Sequence, residues 1–417
     1  MTRGAFAPHP PGSFALSADP AFQNEVQEEL QALSDRVRNS GRAKSFAGLI
    51  LTGSFARGEG TLVSHPGTEV RWLSDIECLV VINRGAAPIA EVWRTLRQIE
   101  DEFNLDPPRR TRGLRIELRA ITSRKLGQLG PAIFTRELFE HGKLLWRGPA
   151  AVPMPPWHSD PPPISKHDAF RLLNNRIIEQ IAARTEFGDD ADGGAAAAYS
   201  LVKFWIDLGT SLSVFFGCYE PGYRNRQLPI EAALDREGEA LGPGVAARIE
   251  RRFRNAMAVK LGRAPFVPEE TIGEFHEAAE IARSIWHWES AQLLGCAPEP
   301  ADWRLIFPRM RRIETLNGRI RGWVRLLRKP ERLRRLGLRP LIAAARSGSL
   351  ATLIYGSGCM LDFFWDDIDS GSARGNEIAA MLCPALNVRA SAVAHRRRML
   401  ARAALGAWRE HLRFATA

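Results

Sequence analysis

Two short stretches carry side chains whose types and spacing suit chemistry. The first is Leu49-Ile50-Leu51-Thr52-Gly53-Ser54-Phe55-Ala56-Arg57-Gly58-Glu59-Gly60. Phe46, Leu49, Ile50 and Leu51 predict a short buried strand, and Gly53 ends it. Backbone N–H groups behind a Gly-Ser turn bind phosphate oxygens, because a turn and a helix start leave donors unpaired. The second stretch, Ser74-Asp75-Ile76-Glu77-Cys78-Leu79-Val80-Val81-Ile82, predicts a strand that begins with two carboxylates. Asp75 and Glu77 alternate with Ile76, so on a strand both point to one face. Like charges side by side repel, and a bound cation is the usual remedy. A phosphate cradle with paired carboxylates describes a metal-dependent phosphoryl-transfer site.

Several elements must hold these stretches in place. Asp19 can cap a helix from Pro20 to about Arg38, with Phe22, Val26, Leu30 and Leu33 on the face that packs on a sheet. The strand from Asp75 to Ile82 is apolar on both faces after Glu77, as a central strand requires. Pro88 opens a helix whose Ile89, Val92, Leu96, Ile99 and Phe103 form a core stripe, and Asp106-Pro107-Pro108 ends it. Leu114 to Ile121 alternates: Ile116, Leu118 and Ala120 inward, Arg115, Glu117 and Arg119 on the other face. That charged face is either solvated, with cross-strand salt links, or looks across at Asp75 and Glu77. Gly142 to Pro149 reads as the closing edge strand.

The residues resemble the DNA polymerase β-like nucleotidyltransferase superfamily, whose pattern is Gly, Gly or Ser, a spacer, then acid–hydrophobic–acid–hydrophobic. Gly53-Ser54 and Asp75-Ile76-Glu77-Cys78 follow that order, and the likeness covers roughly the first third of the chain. The spacer is longer than usual, with Thr61 to Trp72 as an inserted loop, and Glu stands where Asp is common at the second and third acids. The resemblance implies a third carboxylate on a later strand, which Glu117 offers. It implies two Mg²⁺ ions, with Mn²⁺ as a substitute, held by Asp75, Glu77 and Glu117. It implies an NTP, expected to be ATP, whose β- and γ-phosphates lie at Gly53 and Ser54. Arg57 would neutralise phosphate charge, or is a surface arginine. Related enzymes lend a basic or aromatic side chain from a helical domain, which points to Lys203 and Tyr199; the alternative is a Lys203–Asp207 surface pair with Tyr199 as packing.

The proline run from Pro149 to Pro163 reads as a linker, and the chain then turns helical. Ser165 to Arg184 and Ala195 to Gly217 predict helices around a polar turn from Asp189 to Gly194. Tyr219 to Arg226 is a donor-rich turn that would face the same cleft, and Pro268 to Leu294 is a further helix carrying His276 and His287 as solvated or core-edge histidines. Leu353-Ile354-Tyr355-Gly356-Ser357 followed by Asp367-Ile368-Asp369 matches the same short signature. It is not read as a second site: its spacer is apolar and helix-like, and no third-carboxylate strand follows.

The fold class is therefore α+β, a nucleotidyltransferase-type mixed sheet flanked by helices, followed by a large all-α region. Expected segments are a flexible tail (1–19), a catalytic domain (20–148), a linker (149–164), a helical domain (165–297) and a basic helical region (298–417). A chain of 417 residues, 45% hydrophobic and 25% charged, is that of a soluble globular protein with a full core. The five cysteines are dispersed without a C-x-x-C pair, which argues for reduced thiols and against a zinc site. The N-terminus lacks an apolar signal core, and no stretch reaches the ~20 apolar residues of a membrane span. A cytoplasmic location is expected. The net charge of +10 concentrates between Arg304 and Arg339 and at Arg396-Arg397-Arg398. The expected activity is transfer of an NMP to a hydroxyl of a small molecule or protein. The alternatives are a terminal transferase acting on RNA, suggested by the arginines, and an inactive nucleotide-binding or scaffold protein.

Overall fold

A computed structural model describes residues 13–15, 20–63, 71–83, 89–148, 152–153, 160–186, 191–267, 274–297, 302–327, 338–388 and 393–415. The chain divides into two units: the first is 1–165 with 219–229 and 257–266, the second is 166–218, 230–256 and 267–417. The sequence reading put the two later segments of the first unit in a helical domain.

The first unit is α+β. Its strands are β1 (Phe46–Thr52), β2 (Leu62–Val63), β3 (Arg71–Trp72), β4 (Ile76–Ile82), β5 (Ile116–Thr122) and β6 (Lys143–Arg147). Four of them form a mixed sheet in the order β5-β4-β1-β6, with β4 and β5 parallel and the other neighbours antiparallel. All of β1 is buried, as its central place and its sequence Phe-Ala-Gly-Leu-Ile-Leu-Thr require. On one face, Leu49, Leu51, Val80 and Leu118 join a core with Val26, Leu30 and Leu33 of helix Pro20–Arg38 and with Val92, Leu96 and Ile99 of helix Ile89–Asn104. On the other, Ile50, Leu79, Val81 and Ile121 meet Leu126 and Leu138 of the short helices Ser123–Leu126 and Ile133–His141.

The open edge of β5 is closed by side chains. Asn104 accepts from the Ile116 N–H at 2.8 Å and donates to its carbonyl at 2.9 Å, and Glu100 accepts from the Leu118 N–H at 2.9 Å. Such capping stops an edge strand from pairing with another chain. The inserted spacer is built on the β2–β3 ribbon, with Leu62 opposite Trp72. Trp72 is buried against Phe22 and Phe55, so the insertion is anchored in the main core; residues 64–70 lie outside the described set.

Three details depart from the sequence reading. Asp106-Pro107-Pro108 ends one helix and also starts another, Pro107–Thr111, with the Asp106 carboxylate accepting from the Arg109 N–H. Asp75 stands just before β4, which begins at Ile76. Within the expected tail, Phe14 and Ala15 are buried, and the Phe14 carbonyl accepts from the Gly60 N–H at 3.0 Å. Apart from Ser13, the rest of 1–19, and most of the expected linker, lie outside the described residues.

The second unit is helical throughout its described residues. Helices Lys166–Glu186 and Ala191–Phe215 pack side by side, and Ala191 to Gly194, expected in a turn, begin the second of them. Trp205, Trp286 and Phe204 are fully buried. Gly209 lets a ring lie against its helix, since a Cβ there would fall 2.4 Å from Phe253. His287 is a core residue, with burial and Arg309 pulling its imidazole down to about 4, whereas His276 is exposed. No helix among the described residues is long and apolar enough to cross a membrane.

Candidate functional site

The candidate site lies where β1 ends. Gly53 takes a φ of +68°, a conformation that L side chains rarely adopt. A Cβ on Gly53 would fall 3.0 Å from the Glu77 carboxyl carbon and 3.1 Å from its Oε2. Glycine thus lets the turn and the Glu77 carboxyl occupy adjoining space. Glu77 is held there by strand pairing: it is the register partner of Thr52, whose hydroxyl donates to the Glu77 carbonyl at 3.1 Å.

Register brings in the next acid. On the parallel pair β4–β5, Ile76 stands opposite Ile116 and Glu77 opposite Glu117. The two carboxylates belong to neighbouring positions of one sheet face, with Asp75 two residues before Glu77. The Glu77 carboxyl is pushed up from its ordinary range, mainly by burial and then by the negative charges of Glu117 and Asp75, while Arg119 and Arg57 act the other way. Arg119 is next on the same face and donates to Glu117 through Nε at 2.8 Å. Both side chains of that pair are 43% exposed. Ser54 follows Gly53 and is nearly buried. Among the described residues, no group of three or more His, Cys, Asp and Glu side chains stands ready to hold a metal ion.

Arg57 is placed otherwise than a phosphate-facing arginine. Its side chain is 8% exposed and bonds to Glu59 at 2.8 Å through Nε and to Glu137 at 3.0 Å through an Nη. Its guanidinium also stacks over the Tyr223 ring, 4.4 Å from the centroid. Burial alone would weaken its protonation, but Glu137, Tyr223 and Glu59 reverse that and hold it charged. The charge expected to meet phosphate is committed to two carboxylates.

Those carboxylates were not singled out from sequence. Glu137, on helix Ile133–His141, accepts from Arg226 at 2.7 Å and from the Tyr219 hydroxyl at 2.9 Å. Arg57 and Arg226 outweigh its burial and pull its carboxyl down to about 2. Glu59 accepts from the N–H groups of Tyr223 and Arg224, each at 3.0 Å, so it caps helix Tyr223–Glu237. The donor-rich character of Tyr219 to Arg226 was legible, and the structure shows that its donors serve these two acids. A second tie reaches the flank of Asp75. Buried Lys260 donates to the Ser74 hydroxyl at 2.9 Å, the Thr61 hydroxyl donates to the Lys260 carbonyl at 3.0 Å, and the Thr61 N–H donates to the Ser74 hydroxyl at 2.9 Å. The residue preceding Asp75 is thereby fixed by a segment nearly two hundred positions later.

Tyr199 and Lys203 belong to the helical unit, where the Lys203 ammonium lies 5.1 Å from the Tyr199 ring centroid. Asp207, their expected companion on that flank, pairs with Arg176.

The second copy of the signature is helical. Gly356 and Ser357 lie inside helix Leu350–Phe363, and Asp367 and Asp369 lie in helix Trp365–Ser370. A Cβ on Gly356 would fall 2.6 Å from Phe307, and one on Gly358 2.5 Å from Ile178. Its glycines serve close helix packing. Asp369 pairs with Arg397 at 2.6 Å.

Comparison with protein-family models, with curated proteins and with solved structures finds no match to this chain.

Proposed function

We propose that this chain is a metal-dependent nucleotidyltransferase that moves an NMP from an NTP, with ATP first in line, to a hydroxyl of a small molecule or protein. The observation that carries the reading is the register of Glu77 opposite Glu117 on parallel strands, beside the glycine turn that ends β1. Glu77 and Glu117 stand side by side on one sheet face, Asp75 lies two residues before Glu77, and the charges of Glu117 and Asp75 raise the cost of ionising the half-buried Glu77.

That donor set fits a hard cation, since Mg²⁺ takes oxygen ligands shared among carboxylates, water and phosphates. Asp75, Glu77 and Glu117 would hold it, and when bound it would supply charge neutralisation to the triphosphate. The chain's own residues do the rest. Ser54 and the N–H groups beside it hold phosphate oxygens. Arg119, 43% exposed and bonded to Glu117, would be available to phosphate oxygens where Glu117 holds the cation. Glu117 then accepts the proton of the acceptor hydroxyl. The acceptor oxygen bonds to the α-phosphorus, the α–β anhydride bond breaks, and pyrophosphate leaves.

The test is Mg·ATP binding by titration calorimetry, with pyrophosphate release measured in parallel. Asp75→Asn is expected to weaken binding at least tenfold, and equal affinity in wild type and variant would overturn the metal site. Glu117→Gln is expected to retain its melting temperature and lose about 10²–10⁴ in turnover, the usual worth of a positioned acid–base group. The Arg119–Glu117 ion pair favours one second reading, a nucleotide-binding module without turnover. That reading gains if Mg·ATP binds and no nucleotide at any acceptor releases pyrophosphate.

A further inference from the structure

The charge of the chain is concentrated. Between Thr315 and Arg346 stand ten arginine and lysine residues and one carboxylate, Glu331, so this stretch carries nearly all of the net +10. Its described part includes helix Leu316–Leu327 and helix Leu338–Ser347 of the helical unit. On the first, Leu316, Ile320, Val324 and Leu327 are 70%, 51%, 39% and 62% exposed, and on the second Ile342 is 44% exposed. Spacings of four, four and three put the first set on one stripe of about three turns. Elsewhere among the described residues, exposed large apolar side chains stand singly, at Leu105, Phe134, Leu228 and Met399. Scattered ones are ordinary, whereas a contiguous stripe marks a contact surface.

Exposed Ile342 of the second helix lines a cavity of about 900 Å³. Phe307, Leu353 and Met381 give it apolar walls, Arg311, Arg312 and Arg346 stand in its lining, and the lining contains no carboxylate. Helix Leu316–Leu327 is tied to this rim: Trp323 Nε1 donates to the Gly348 carbonyl at 3.2 Å, and Arg319 donates to the Arg311 carbonyl. Arg311, Arg312, Arg321 and Arg346 are exposed, and none of them is ion-paired among the described residues.

We propose that this face of the helical unit docks on an anionic phospholipid bilayer, with the Leu316–Ile320–Val324–Leu327 stripe in the acyl boundary and the arginines at the headgroup phosphates. A helix with aliphatic side chains on one face and arginines beside them matches the requirements of a lipid interface. Guanidinium groups pair with phosphate oxygens, and a negatively charged leaflet attracts a polybasic segment. Nucleic acid would use the same cations but has no use for four exposed aliphatic side chains. The aromatic platform that stacks bases is also missing from the stripe, and the Trp323 indole N–H is committed to Gly348. A second copy of this chain would bring two strongly cationic faces together, which repel.

The experiment is co-sedimentation of the full chain with vesicles of phosphatidylcholine, with and without phosphatidylglycerol, over a range of salt. Binding is expected only with phosphatidylglycerol and is expected to weaken as salt rises. Arg321→Gln and Arg346→Gln should each reduce it about fivefold. Ile320→Gln and Leu327→Gln should each reduce it about tenfold, with unchanged melting temperature because both sites are exposed. Three results would overturn the proposal. One is no association with phosphatidylglycerol vesicles at low salt. Another is association that Ile320→Gln/Leu327→Gln leaves intact, which would make the face a general polyanion site, and RNA would then compete. The third is a self-associated chain that Ile320→Gln/Leu327→Gln turns into monomers, which would make the stripe a contact between copies.

Discussion

Glu137→Gln tests the buried network that joins residues 219–229 to the sheet unit. The Glu137 carboxylate accepts from Arg57, Arg226, the Tyr219 hydroxyl and, at 3.4 Å, the Gly222 N–H. Arg57 keeps Glu59 when Glu137 is neutralised, but the guanidinium of Arg226, only 2% exposed, loses its carboxylate partner. Removing one partner of a buried ion pair costs about 3–5 kcal/mol. The carboxyl itself gives a similar figure: held at about 2 instead of 4.5, it contributes about 3 kcal/mol when ionised. The sign follows from the depressed value. The contribution is complete above about 4.5 and is lost as pH falls towards 2. Urea unfolding of wild type and Glu137→Gln at pH 7 should therefore differ by about 3 kcal/mol, and the gap should narrow steadily as pH falls from about 4.5 towards 2. Hydrogen exchange at pH 7 should show residues 219–229 opening more readily than β1. A difference below about 1 kcal/mol at pH 7, or one that does not shrink in acid, would refute the account of this network as a buried, charge-compensated tie.

Gly53→Ala should lower stability by about 1–2 kcal/mol through its left-handed backbone and crowd the Glu77 carboxyl, so Mg·ATP affinity should fall along with the melting temperature; an unchanged affinity would separate the turn from the site. Asp369→Asn should leave Mg·ATP binding and pyrophosphate release untouched, since Asp369 is a helical partner of Arg397; lost activity in a folded sample would move the site to the second copy. Glu289, fully buried and bonded to the Ser211 hydroxyl at 2.6 Å, has its carboxyl raised by burial to about 8. Its ionisation therefore opposes folding increasingly as pH rises from about 4.5 to 8, and Glu289→Gln should stabilise by roughly 1–3 kcal/mol at pH 8 and do little at pH 5; thermal melts at the two pH values decide it.

Periodicity made much of the sheet unit legible. The apolar run before Gly53, the stripe Val92–Leu96–Ile99–Phe103 and the alternation Ile116–Leu118–Ala120 each reflect which faces a strand or helix buries, and that information is local. The helical character of the spacer in the second Gly-Ser copy was legible for the same reason. The pairing of Glu77 with Glu117 was a different matter, because register joins residues forty positions apart, and a slip by one would turn Glu117 to the opposite face. Only tertiary structure showed that Arg57 is enclosed by Glu59 and Glu137, that Lys260 fixes the flank of Asp75, and that Glu59 caps a helix far along the chain. Ion pairs and caps between distant segments leave no spacing in the sequence, since either partner satisfies local rules as a surface charge. The exposure of Leu316, Ile320, Val324 and Leu327 was hidden for a related reason: an amphipathic pattern reveals that a helix has an apolar face, and the packing of the other helices decides whether that face is covered.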